Sequence, residues 1–361
     1  MITVFTPSFA DEENTNAQNL TVKEVVPRMD PKRFRVILLG SGAPDPRIAT
    51  RPNTRILSWG KRGNTLRTLC RLFADLPDVY FFPREGPLDD AFLTARRRFG
   101  LKTALVTYVV SGGLQRDHRP VLFRAIREAD MVVGNSRHMG LTAEKLGGGN
   151  VQTVYDGVDR RYYYPPDSRG HGPLVVLFAG SFRPYKRADL VVREGAKHPD
   201  SQFRLAGTGE EEGSCRQLAS RLGCRNVQFL GHLTAARLGE EMRRADIFFF
   251  PSEVEGHPQV LLQAAASGLP CIARRSYEPD YVVDQKTGFL GKTDAELSDA
   301  LDLLTWERDL RHQFSIAAVQ HALQFDWDSI AKQWQDILER AAANRAGNRQ
   351  SLGTGDVKSR V

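Results

Sequence analysis

The chain has 361 residues, 41% of them apolar and 26% charged, the make-up of a soluble globular protein with room for two domains of ordinary size. A formal net charge of +7 suits an anionic partner, whether a small acidic ligand, a lipid surface or nucleic acid. Cys70, Cys215, Cys224 and Cys271 form no CxxC pair and have no histidine at metal-ligand spacing, which argues against a zinc module or a disulfide scaffold and for a reducing compartment. No run approaches the roughly 20 apolar residues of a membrane-crossing helix. Met1–Phe5 lacks the basic start of a signal peptide, so a cytoplasmic protein, soluble or peripheral on the inner face of the membrane, is expected.

Short apolar runs alternate with helical-period segments almost from end to end. Strands are predicted at Ile2–Thr6, Phe34–Leu39, Arg55–Trp59, Val79–Phe82, Thr103–Val110, Met131–Gly134 and Gln152–Tyr155. A second series follows at Leu174–Ala179, Phe203–Ala206, Val227–Leu230, Ile247–Phe250 and Cys271–Arg274. Runs such as Ile247-Phe248-Phe249-Phe250 are apolar throughout, as parallel strands covered by helices on both faces should be. Between the series, the proline and glycine density of Tyr164–Pro173 reads as a linker. Two doubly wound α/β domains are therefore expected, residues 1–165 and 172–320, with a cleft between them. A last helix over 326–340, capped by Asp326 or Asp328, should pack back towards the N-terminal domain, and the polar stretch 341–361 reads as disordered.

The densest chemical signal is Pro251–Pro270, which leaves a buried strand, turns through Glu255-Gly256-His257-Pro258 and enters a helix carrying Gln263. Loops at the carboxyl ends of parallel strands are where open α/β sheets bind ligands, and a helix N-terminus there offers free N–H groups to a phosphate. By composition alone, an ordinary strand-turn-helix with a surface glutamate would look the same.

This segment resembles the donor-binding signature of family 4 GT-B glycosyltransferases, in which a first glutamate grips the transferred sugar and a second, eight residues on, holds the nucleotide ribose. The resemblance places Glu255 in the first role, beside Gly256, His257 and Pro258, and Gln263 in the second. Gln263 departs from the family: an amide accepts a weaker bond than a carboxylate does, so weaker nucleotide binding is implied. Leu177–Leu190 resembles the family's strand, glycine and basic loop, with Gly180 and Ser181 at the turn and Lys186 on the donor diphosphate. The family's arginine position holds Ser181, which leaves Arg183 as a candidate replacement. Ala206-Gly207-Thr208-Gly209 and Phe229-Leu230-Gly231 resemble the family's Gly-x-Gly strand end and base pocket, which implies donor contacts at Gly209, His232 and Leu233. Asp280, with Asp284 and Gly288 after it, matches a further acidic loop loosely, and Glu278 competes with it.

The N-terminal half carries less of the pattern. Pro7–Asn16 stands where the family has a glycine-rich loop, and Val109–Gly113 where it has a histidine; His118 reads as a surface residue. Gly40-Ser41-Gly42 reads as a turn and Asp326-Trp327-Asp328 as a helix cap around a buried tryptophan. The many basic residues from Arg47 to Arg124 form either a solvated face or a contact for anionic lipid or a phosphate-bearing acceptor; no nucleic-acid module accompanies them. The resemblance thus implies a GT-B fold of two Rossmann-like domains and a retaining, metal-independent glycosyltransferase without a bound cofactor. Glu255, Lys186 and Arg183 would act in catalysis on a UDP- or GDP-linked sugar, with a glycan or lipid-linked acceptor. Two alternatives stay open, a non-catalytic sugar- or nucleotide-binding relative and another GT-B enzyme such as a nucleotide-sugar epimerase.

Overall fold

A computed structural model describes residues 1–11, 17–59, 64–83, 85–110, 119–168 and 172–351. Two compact units emerge, one built from the chain up to Tyr155 together with the segment from Trp327, the other from Asp156–Asp326. Among the described residues, no helix is long and apolar enough to cross a membrane.

The first unit holds β1 (Ile2–Phe9), β2 (Phe34–Gly40), β3 (Thr54–Ser58), β4 (Val79–Phe81), β5 (Ala104–Val109), β6 (Met131–Gly134) and β7 (Val151–Thr153). They form one parallel sheet in the order β3-β2-β1-β4-β5-β6-β7. Successive side chains feed opposite faces: Val4, Val36 and Val79 join one buried cluster, Phe5, Ile37 and Tyr80 the other. The strand β1 runs past Pro7, where the sequence suggested a stop. The ring has no N–H for the ladder, and the pairing with β2 slips between Phe5 and Phe9 before resuming at Leu39.

The terminal helix Trp327–Ser351 lies on one face of this sheet. Trp334 is fully buried between the rings of Phe81 and Tyr108, 4.9 and 4.8 Å away. The helix does not end at Arg340 but runs to Ser351; residues 352–361 of the stretch read as disordered lie outside the described residues. Ala341 is fully buried and Ala342 packs on the same cluster, so the small, helix-favouring residues read as tail extend the packed face.

The second unit holds β8 (Val175–Ala179), β9 (Gln202–Ala206), β10 (Val227–Gly231), β11 (Ile247–Phe250), β12 (Cys271–Arg274) and β13 (Gly288–Gly291), all parallel, in the order β10-β9-β8-β11-β12-β13. Its limits differ from the expected 172–320. Residues from Asp156 belong here because Val158 N–H donates to Phe325 O at 3.0 Å, the Tyr281 hydroxyl to Asp156 O at 3.1 Å and Arg243 to Tyr162 O at 2.7 Å. The strand order reverses direction between β8 and β11. Loops that leave the carboxyl ends of those two strands diverge and open a crevice.

Candidate functional site

That crevice is a pocket of about 420 Å3, and every residue lining it comes from the second unit. The loop after β8 contributes Gly180, Ser181 and Lys186, that after β9 Gly207 and Thr208, and that after β10 His232 and Leu233. The segment after β11 contributes Glu255, Pro258, Gln259, Val260 and Gln263. Close backbone approach shapes the floor. Gly180 N–H donates to Ala206 O at 3.0 Å and Gly207 N–H to Gly231 O at 2.7 Å. A Cβ on Gly207 would stand 1.8 Å from Gly180 O, and its φ of +132° suits glycine alone.

Lys186 ends a 3-10 turn, Pro184–Lys186, that starts with a proline whose fixed φ suits such a turn. Its ammonium pairs with the Glu255 carboxylate and lies 5.2 Å from the Phe250 ring centroid. The Ser252 hydroxyl also donates to Glu255, at 2.6 Å, and so fixes the carboxylate from behind. Glu253 N–H donates to Tyr185 O at 2.8 Å, which ties the two loops together through the backbone. The helix Gln259–Ala266 begins at the pocket with Pro258 as its cap residue, so its first N–H groups and their partial positive charge border the cavity beside Lys186. Gln263 lies one turn further along the same helix.

Tyr277 is buried, and burial, reinforced by the nearby Glu255 charge, pushes its phenol far above the usual tyrosine range. Burial also pushes the His257 imidazole down to about 3, so it is neutral at every ordinary pH. Its ring centroid lies 3.7 Å from that of Tyr281.

The structure thus brings Gly180, Ser181, Lys186, His232, Leu233, Glu255, Pro258 and Gln263 to one pocket. It does not bring the remaining candidates there. His257 is buried against Tyr281, and Gly256 falls outside the lining. Arg183 is exposed and lines, with Gly209 and Glu210, a neighbouring hollow that shares Ser181 and Thr208 with the pocket.

Asp284 is a structural partner of Arg275 and of Leu290 N–H, at 2.9 Å for the latter. Asp280 contributes its carbonyl to His321, and Glu278 is exposed; none of the three acidic candidates lines the pocket. Val109 is buried in β5, whereas Ser111–Gly113, His118 and Glu12–Asn16 lie outside the described residues. Ser252, Gln259 and Phe250 were missed by motif reading; their position at the end of β11 is the signal that marks them. A separate Glu194, His198 and Asp302 group has metal-ligand spacing, but Lys197 and Ser298 already hold the Glu194 carboxylate, at 2.8 and 3.0 Å.

Residues 166–321, most of the unit that holds the pocket, match the model of the family Glycosyl transferases group 1. The chain has the GT-B fold, and its second unit is similar to the group 1 family. A D-inositol 3-phosphate glycosyltransferase of Mycobacteroides abscessus is 32% identical over 249 residues, which cover 63% of this chain and 56% of that protein. The chain therefore spans little more than half the length of the curated relatives it matches. Anabaena HepE, solved with UDP and glucose, superposes with a TM-score of 0.76 at 17% identity, over 94% of this chain and all of that one. Sucrose-phosphate synthase from Thermosynechococcus elongatus gives 0.78 at 16% identity, over 95% and 100%. At such identities the likeness concerns the GT-B fold.

Proposed function

We propose that this GT-B protein is a glycosyltransferase that takes a sugar from a nucleotide diphosphate sugar and passes it to an acceptor hydroxyl with retention of anomeric configuration. The observation that carries the reading is the meeting of Lys186, Glu255 and the start of the helix Gln259–Ala266 in one pocket. In the reaction the bond between the anomeric carbon and the diphosphate breaks with its electron pair on the phosphate oxygen, and the acceptor oxygen forms the new bond as its proton passes to that departing phosphate oxygen. Lys186 and the helix N–H groups face the charge that grows on the diphosphate; Glu255 accepts hydrogen bonds from the sugar hydroxyls. This chemistry asks for no metal or bound cofactor, and Glu255 and Lys186 are its catalytic residues. Arg183, which lines the neighbouring hollow, is kept as a further candidate for the diphosphate.

HepE was solved with UDP-glucose, and a UDP- or GDP-linked sugar is the donor we assign here. The acceptor is a glycan or lipid-linked hydroxyl, its recognition falling to the N-terminal unit. Contact with an anionic membrane is supported by the neighbouring helices Asn64–Ala74 and Pro87–Phe99. There Leu66 and Phe99 are 71% and 72% exposed beside Arg67, Arg97 and Arg98. Each such cation is worth about 1 kcal/mol near an anionic surface. Other basic residues are committed inside the unit: Arg51 to backbone carbonyls, Arg96 to Asp130, Arg124 to Asp90. The place of action is then the cytoplasmic face of a membrane.

A thermal-shift panel of UDP-, GDP- and ADP-sugars, run beside Glu255→Ala, tests the donor assignment. Stabilisation of the parent protein by none of them overturns it. Ser181 and Gln263, both departures in the lining, favour a second reading as a binding protein without turnover. That reading predicts donor binding without release of free nucleotide in the presence of cell extract.

A further inference from the structure

The residue after Lys186 is backbone-strained. Arg187 has φ of +55° and ψ of 42°, the left-handed region that favours glycine, where it joins the 3-10 turn to the helix Ala188–Lys197. Its guanidinium is spent on three carboxylates from three places in the fold. Nε donates to Asp189 at 3.0 Å, one terminal nitrogen to Glu253 at 2.9 Å and the other to Asp294 at 2.9 Å. Asp294 starts the helix that follows β13 and also pairs with Arg274, whose side chain is only 8% exposed. Arg274, the last residue of β12, in turn donates to Pro251 O at 3.3 Å and Lys292 O at 3.1 Å. Burial works against the Asp294 carboxylate, yet the hydrogen bonds from Arg187 and Arg274 hold its pKa below the usual range.

These bonds join the carboxyl ends of β8, β11, β12 and β13, four adjacent strands of the sheet. None of Arg187, Arg274 or Asp294 lines the pocket. Two of the segments they join, however, carry Lys186 and Glu255. We propose that Arg187, Asp294 and Arg274 are positioning residues: a charged clamp that holds the Lys186 turn and the Pro251–Glu255 turn in register, so that the diphosphate meets a preformed cation. The strained backbone of Arg187 points the same way, since a glycine would form this turn without strain and only the side chain needs the arginine.

The role is distinct from general stabilisation because it predicts a split. In the full chain, Arg187→Gly removes the strain along with the ion pairs, so the unfolding midpoint moves little. UDP affinity falls about tenfold, as for one lost hydrogen bond to a charged group, and uridine affinity stays unchanged. Asp294→Asn relieves no strain and leaves Arg274 without its carboxylate, so it lowers the midpoint, but it gives the same split between UDP and uridine. Backbone hydrogen exchange at residues 183–187 and 251–256 rises in both loops together in either variant, with no ligand present.

The binding arm rests on the pocket's reading as a diphosphate site, and the exchange arm does not. If the parent protein binds no nucleoside diphosphate, that reading fails and the clamp is decided by exchange alone. UDP affinity unchanged in both variants of a parent that binds UDP overturns the inference. So does exchange that rises in one loop only, or a parallel loss of stability, UDP and uridine binding.

Discussion

Replacing Lys186 by alanine tests the pocket from its charged end. The ammonium and the Glu255 carboxylate form one ion pair, with side chains only 14% and 13% exposed. Taking one partner from a fully buried pair costs about 3–5 kcal/mol, and the residual exposure here lowers that to about 2 kcal/mol of folding stability. The loss for the ligand is separate. A hydrogen bond to a charged group contributes about 1.5–3 kcal/mol, so Lys186→Ala weakens UDP by about 10- to 150-fold and leaves uridine untouched.

The pairing of Lys186 with Glu255 adds a less obvious expectation. A diphosphate must draw Lys186 away from Glu255, so the carboxylate competes with the ligand for its cation. Glu255→Gln removes the competitor, and UDP binding strengthens by about two- to fivefold, since the net worth of a mostly buried pair is small beside the cost of stranding one of its charges. The same variant loses the extra affinity that the sugar gives a UDP-sugar over UDP. Isothermal titration of UDP, a UDP-sugar and uridine against the two variants measures all of this. Equal weakening of UDP by both variants would refute the competition. An equal loss of UDP and uridine in Lys186→Ala would remove Lys186 from the phosphate role.

Other expectations follow from single residues. Gly207→Ala places a methyl against Gly180 O at a φ that resists any side chain, and costs about 3 kcal/mol in chemical denaturation. His257, held near 3 by burial, stays neutral in the fold while the unfolded chain takes up its proton below about 6.5. Stability is therefore fully present above pH 6.5 and declines as pH falls towards 3, by up to about 1.4 kcal/mol per unit. Urea midpoints measured between pH 4 and 7 should show that slope, and His257→Phe should flatten it. Gln263→Glu restores a charged acceptor and tightens UDP by about tenfold, with no gain for a dideoxyribose analogue. An equal gain for both ligands would place Gln263 away from the ribose.

Much of the architecture was legible because parallel strands buried on both faces are written as unbroken apolar runs: Ile247–Phe250 and Met131–Gly134 fall where their sequences put them. The strand Gly288–Gly291 escaped notice because glycines at both ends leave it only two apolar side chains. Pro7 misled in the opposite direction, since a slip in register absorbs a residue that ordinarily ends a strand. Within the pocket, Glu255 and Lys186 were visible because a motif carries them. The adjacent His257 shares the motif but not the surface, and sequence spacing holds no record of which side of a turn is buried. The meeting of Arg187, Arg274 and Asp294 was invisible for another reason. They lie 107 residues apart at the extremes and meet only because β8, β12 and β13 end at one edge of the sheet.

The helix that begins at Trp327 has a consequence for biosynthesis. Its tryptophan, isoleucine and leucine side chains complete the hydrophobic interior of a unit whose other strands are all made before residue 156. On the ribosome, the half synthesised first therefore waits with one sheet face only partly covered, by the helix Ala17–Arg28, while the uninterrupted half, 156–326, has all its own sequence in hand. The later half can finish folding before the earlier one. A chain cut short before Trp334 leaves the ribosome with Phe81 and Tyr108 open to water, a mark by which quality control recognises an unfinished molecule.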